Sequence, residues 1–234
     1  QGMARGKSDR LDARRIAEYA WRYADRLRAY RLPQDTLMEA RSLATLREMY
    51  VRQGVMLKNA LHAHGETSAT DSLRKVLETV QAEEAALEER IERLMHADPD
   101  TGHNYGLLQS VKGIGPVIAT ALVLATGNFT LFTDARKFNS YAGLAPFPNR
   151  SGKTHKPDRT SRMANRKIKT LLHNGVACVI THDPELRAYY RRKIAEGKLK
   201  RVVKNAIACK LVYRAFAVIK RQTPFLNLYQ HNVA

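Results

Sequence analysis

Apolar residues recur along most of the chain at intervals of three and four, the period of an amphipathic helix, and almost nowhere alternate as a half-buried strand would. Leu11, Ile16, Tyr19, Ala20 and Tyr23 mark a first helix, with Ser8 or Asp9 as its cap. It closes near Arg31-Leu32-Pro33, because the residue before a proline is pushed out of the helical region. Gln34 to about His64 predicts a second, long helix carrying Leu37, Leu43, Leu46, Tyr50, Leu57 and Leu61. Gly65-Glu66-Thr67-Ser68 is a break, and Asp71 or Ser72 caps a third helix. Its apolar positions, Leu73, Leu77, Val80, Leu87, Ile91 and Leu94, fall with Glu84 on a heptad seam about three repeats long. The flanks are acidic: Glu83, Glu84, Glu88, Glu89, Glu92. A helical hairpin or coiled-coil arm fits this seam, and so does an ordinary core helix.

Ala97-Asp98-Pro99-Asp100 ends the arm, and a second module begins beyond Gly102. Leu107 to Val111 leads through Lys112-Gly113-Ile114-Gly115-Pro116 into an apolar helix from Val117 to about Ala125, capped by Gly127. A short helix follows at Ala135–Tyr141, capped by Thr133 or Asp134, and Ala142 to Arg159 reads as a loop. Further helices run from about Arg162 to Thr181, from Asp183-Pro184, and from about Val202 to Lys220. The expected fold is therefore mainly α, in segments 1–33, 34–100 and 101–234.

Hydrophobic residues make up 44% of the 234 and charged residues 26%, which excludes wholesale disorder. The longest apolar-rich stretch, Val117 to Thr126, falls short of the ~18–20 residues of a membrane span, and no secretory signal opens the chain. Cys178 and Cys209 are too few for a disulfide framework or a zinc site; both lie in helical apolar patterns and are expected to be reduced core residues of a cytoplasmic protein.

Charge changes the picture most. The net charge is +18, distributed as +5 over residues 1–70, −3 over 71–149 and +16 over 150–221. A solvated basic face is one reading. Yet so many like charges within one stretch repel each other without a polyanionic partner, so nucleic acid is expected there.

Three constellations bear on chemistry. In Lys112-Gly113-Ile114-Gly115-Pro116 two glycines permit a tight turn that ends on a helix N-terminus, where free amides favour phosphate and Lys112 adds a charge. This resembles a helix-hairpin-helix element, which grips the DNA backbone without reading sequence; the alternative is a plain interhelical turn. In Asn149-Arg150-Ser151-Gly152-Lys153 a serine stands on a basic loop. Arg150, Lys153, Lys156 and Arg159 suit a phosphodiester and the charge developing on it, and an activated serine hydroxyl attacks phosphorus; a Ser-Gly pair is otherwise just a turn. In Lys7-Ser8-Asp9-Arg10-Leu11-Asp12-Ala13 the carboxylates of Asp9 and Asp12 share a helix face, which suits a hard divalent cation or simple compensation of the helix dipole. No histidine–carboxylate cluster is visible.

Taken in order, Arg-Gly-Lys-Ser-Asp-Arg-Leu-Asp-Ala, a helical arm, Val-Lys-Gly-Ile-Gly-Pro, Phe-Asn-Ser-Tyr-Ala-Gly-Leu-Ala-Pro, Arg-Ser-Gly-Lys and Thr160-Ser161-Arg162-Met163-Ala164-Asn165-Arg166-Lys167-Ile168-Lys169 resemble the DEDD transposases of bacterial insertion sequences, the bridge-RNA-guided serine recombinases. The likeness runs over nearly the whole chain. It implies an RNase H-like (RuvC-like) domain with four magnesium-binding acids, a coiled-coil arm, and a helical transposase domain with a helix-hairpin-helix core. By this resemblance Asp9 and Asp12 are the last two acids, Ser151 is the nucleophile, and Arg162, Asn165 and Arg166 contact DNA. The first two acids have no counterpart here. The resemblance thus implies the C-terminal portion of such a protein, able to bind DNA but not to recombine it alone. It also implies Mg2+, a guide RNA, a dimer or tetramer, a cytoplasmic, nucleoid-associated location and no membrane. A non-catalytic DNA-binding module dimerised by a coiled coil is the rival reading.

Overall fold

The computed structural model describes residues 8–27, 34–65, 68–151, 154–161 and 163–226; for 68–69, 148–151 and 154–159 it describes the backbone alone. These residues form nine helices and one two-stranded hairpin, a mainly α fold. The chain divides into two compact units, 1–33 and 34–234.

The first unit is built on α1 (Asp9–Arg22), whose cap Ser8 accepts a hydrogen bond from the Leu11 N–H. The helix closes at Arg22, well before the proline expected to stop it, and turns through Tyr23 with the N–H groups of Arg26 and Leu27 on the Tyr23 carbonyl. None of its residues is buried. Leu11, Ile16, Tyr19 and Tyr23, the apolar positions that mark the helix, are exposed.

The second unit opens with an antiparallel hairpin of α2 (Asp35–His64) and α3 (Ser68–His96). The heptad seam of α3 meets α2 of the same chain. Arg47 pairs with Glu84 and Glu88, and Arg90 with Glu39, so α2 neutralises part of the acidic flank of α3. The base of the hairpin, with Leu37, Ala40, Leu43, Leu87, Ile91 and Met95, belongs to the main core. Ala97 to Asp100 is no mere break. Asp98 caps α4 (Pro99–Gln109), accepting from the Thr101 N–H and hydroxyl at 2.8 and 2.7 Å, with Pro99 in the first turn, where its missing N–H costs nothing.

Next come α5 (Pro116–Thr126), apolar on nearly every side and mostly buried, and α6 (Ala135–Tyr141), capped by Asp134. The expected loop from Ala142 to Arg159 is instead largely a hairpin of β1 (Pro146–Ser151) and β2 (Thr154–Thr160). The unit closes with α7 (Arg166–His182), α8 (Pro184–Ala195) and α9 (Lys200–Arg221). Leu108, Leu122, Phe138, Leu172, Leu186 and Leu211, all fully buried, join these helices in one core. The α7–α8 corner is fixed by Asp183, wholly buried, which caps α8 through the Leu186 N–H and pairs with Arg214 of α9 at 2.6 Å. Cys178 is exposed on α7 rather than in the core; Cys209 is half-buried, and burial pushes its thiol up to about 11. No described helix is long and apolar enough to cross a membrane.

Candidate nucleic-acid interface

Two buried side chains, Val111 and Ile114, anchor the turn between α4 and α5, with the Ile114 N–H on the Val111 carbonyl at 2.9 Å. Between them Gly113 adopts φ +89°, and a β carbon there would stand 2.4 Å from Val179 Cγ1. The contact is reciprocal, since a β carbon on Gly175 would meet the Gly113 carbonyl oxygen at 2.4 Å. Gly113 therefore serves a close backbone crossing of the turn over α7. Gly115 differs. It is extended rather than left-handed, exposed, and a β carbon on it would find nothing within 4 Å. Gly115 begins α5 with no side-chain cap, so that helix start faces open space. Lys112 is exposed and donates from Nζ to the His182 carbonyl at 3.2 Å, at the end of α7.

The segment leading into β1 is pinned from three sides. Lys169 of α7 donates to the Gly143 carbonyl at 2.9 Å, and Asn205 of α9 to the Leu144 carbonyl at 2.6 Å. The Asn165 N–H reaches the Tyr141 carbonyl at 2.9 Å, while its Nδ2 donates to the Tyr141 hydroxyl at 2.9 Å. Gly143 has φ +68°, and a β carbon there would lie 2.2 Å from that of Ala164. From this base the strands run antiparallel, pairing Pro146 with Thr160, Phe147 with Arg159, Asn149 with Lys156, Arg150 with His155 and Ser151 with Thr154. The register shifts between Phe147 and Asn149. Ser151 thus ends β1, two residues short of the start of β2. Arg150, Lys156 and Arg159 lie on the strands, while Gly152, Lys153 and Arg162 lie outside the described residues.

At the start of α7, Asn165 is the helix cap, its Oδ1 accepting from the Ile168 N–H at 3.1 Å. Both ends of its amide are thus engaged inside the protein. Arg166 beside it is exposed. Lys167 pairs with Glu48 of α2; that hydrogen bond, against the opposing effect of burial, holds the Glu48 carboxyl below its usual range. Sequence reasoning missed Lys169 and Asn205 as supports. Lys169 was one cation among many in a basic run, and no spacing announces that it turns inward.

Asp9 and Asp12 fill the first turn of α1, Asp12 lying 3.5 Å from Arg15. Their oxygens suit a hard divalent cation in kind. No group of three or more His, Cys, Asp or Glu side chains is gathered among the described residues.

Comparison with known proteins places this chain in the class of transposases. Residues 105–191 match the model described as "Transposase IS116/IS110/IS902 family", and residues 2–65 match a second transposase model, the DEDD domain of IS110 elements. Over these two stretches the chain is similar to the IS116/IS110/IS902 transposases. It is 26% identical over 226 residues to the pilin gene-inverting protein of Moraxella bovis, covering 94% of this chain and 68% of that protein. It is 31% identical over 152 residues to the IS110 insertion-element 43.6 kDa protein of Streptomyces coelicolor, covering 65% of this chain and 36% of that one. A probable family 20 transposase of Pseudomonas aeruginosa is 26% identical over 154 residues, covering 64% and 44%. The DEDD match points to divalent-metal dependence in general.

Proposed function

We propose that this chain binds DNA and that, in the full-length protein, Ser151 is the nucleophile that cuts and rejoins it through a serine–DNA phosphodiester. Its oxygen forms the new bond to phosphorus as the bond to one deoxyribose oxygen breaks; the hydroxyl proton is lost and the departing oxygen gains one. One phosphodiester replaces another, so the step is close to thermoneutral and runs backwards onto a new strand end. Arg150, Lys153, Lys156 and Arg159 hold the phosphate and stabilise its extra negative charge. Lys112, Gly113, Gly115, Arg162 and Arg166 bind the DNA backbone, the turn between α4 and α5 acting as a helix-hairpin-helix element that positions the duplex without reading it, while Asn165 supports the start of α7 as its cap. Asp9 and Asp12 would provide two ligands for a divalent ion, Mg2+ by the family resemblance. Bound there, such an ion supplies Lewis-acid charge neutralisation. An RNA guide selects the site, and two duplexes require a dimer or tetramer.

The observation that carries this reading is the hairpin. Residue 151 closes a basic two-stranded ribbon whose base is tied to two core helices by Lys169 and Asn205. A nucleophile needs such fixity, since small misplacement costs large factors in rate. The test is a Ser151→Ala substitution in the full-length protein. With DNA bearing the ends of its element, the serine form gives a covalent protein–DNA adduct on a denaturing gel; the alanine form binds equally well and gives none. Adduct from the alanine form overturns the assignment, and adduct from neither supports a non-catalytic DNA-binding module.

A further inference from the structure

At the junction of α7 and α8, Ile180, Thr181, Arg187, Tyr190 and Arg191 line an open groove of about 390 Å3. That volume lies within the range of ordinary small-ligand sites. Around it the sequence from 187 to 204 carries eight Lys and Arg against one acid, Glu196. Glu196 is occupied by Arg192 and Lys193. Arg187 donates to the Thr181 carbonyl, and Lys112 reaches the next carbonyl, that of His182. Lys112 thus ties the glycine turn between α4 and α5 to the residue that follows Thr181.

Part of this has a purely structural explanation. Cations at a helix C-terminus satisfy its last carbonyls, which accounts for Arg187 and Lys112. It does not account for Arg191, which is exposed, or for the half-buried ring of Tyr190 beside it. The neighbouring Tyr189 has a different use, with Lys210 Nζ 4.8 Å and Arg192 Cζ 5.7 Å from its ring centre.

The geometry points to this groove as a binding site for an unpaired DNA strand, one base stacking on Tyr190 and an adjoining phosphate on Arg191. An aromatic ring beside an exposed arginine, in a groove within a run rich in Lys and Arg, suits a single strand, whose base faces are free to stack. In a duplex those faces are already stacked, and a flat row of cations would serve its phosphates better. The inference rests on the strand-transfer reading above: moving a cut strand from one duplex to another leaves bases beside the cut without partners.

The probe is a labelled oligodeoxythymidylate of about ten nucleotides, in the range of site sizes for single-strand binders. A duplex of equal length is measured beside it by anisotropy at several salt concentrations. Arg191→Ala and Tyr190→Ala each weaken single-strand binding roughly tenfold, the order of one lost stacked base. They leave duplex binding within about twofold, and Arg191→Ala lowers the single-strand salt slope by about 0.7. Because Tyr190 also packs against the core, Tyr190→Phe provides the control. It keeps the stacking face and binds the single strand as the native protein does. Unchanged single-strand affinity in Arg191→Ala overturns the inference. So does an equal fall for duplex and single strand, or tighter binding of the matching oligouridylate. The serine reading is scored separately: these variants keep the hydroxyl of residue 151, and Ser151→Ala keeps the groove.

Discussion

Lys169 Nζ donates a hydrogen bond to the Gly143 carbonyl oxygen at 2.9 Å, so a half-buried cation of α7 holds the chain just before it enters the serine hairpin. Lys169→Met keeps the aliphatic stem and removes the bond. The expected loss is about 1.5–3 kcal/mol in a urea melt, the range for a hydrogen bond to a charged group. In the full-length protein adduct formation slows while DNA affinity holds. An unchanged melt and an unchanged rate together would show that the contact does not anchor the segment.

The glycines separate packing from ligand approach. Gly143→Ala puts a methyl group 2.2 Å from the Ala164 β carbon at φ +68°, and is expected to cost about 2 kcal/mol or more. Gly115→Ala meets nothing within 4 Å and has an ordinary φ, so stability should change by less than about 1 kcal/mol. If phosphate approaches the start of α5, that same silent substitution lowers duplex affinity in anisotropy titrations. Full affinity in Gly115→Ala would remove this turn from the DNA interface.

Arg214 answers a wholly buried charge. Its side chain is 11% exposed and its partner Asp183 is 0% exposed. Arg214→Met should destabilise by about 3–5 kcal/mol, because it strands the Asp183 carboxylate. Glu185→Gln, at a more exposed position on the same guanidinium, should cost less than about 1 kcal/mol. Thermal melts of the two variants at one pH compare them directly.

Burial, then the Lys169 and Lys204 ammonium groups, hold the His173 imidazole below its ordinary range, outweighing a hydrogen bond with Asn205. The folded state thus prefers the neutral ring. This contribution is complete above the unfolded value of about 6.5 and is lost as pH falls through the lower folded value. Urea midpoints should drop on acidification across that window in the native protein, and the drop should shrink in His173→Gln. An identical pH dependence in both would place its origin elsewhere.

Much of this fold is legible in the chain, for identifiable reasons. Helices whose apolar faces meet a core, such as α2, α5, α7 and α9, declare themselves by period, and Asp134 and Gly127 cap where turn chemistry demands. Two failures have physical causes. Glycines 102 and 106 hide α4, although Asp98-Pro99 is a sound helix start. The hairpin rests on backbone pairing between strands that include Pro146, Pro148 and Pro157, so no alternation betrays it. The heptad seam of α3 is visible, but the pattern alone cannot say that its partner is α2 of the same chain. At the site, the basic loop and its serine stand out by residue type. Asn165 stands out equally, yet its amide serves as a cap and a tie to Tyr141, a use that only three-dimensional neighbours reveal.

The most direct measurement is to trap the protein–DNA adduct, digest both components and locate the nucleotide remnant by tandem mass spectrometry. The expected result is a phosphonucleotide on the peptide containing residue 151, attached through the serine oxygen and absent from Ser151→Ala. A remnant on any other side chain, or full strand exchange by the alanine form, would contradict the central claim.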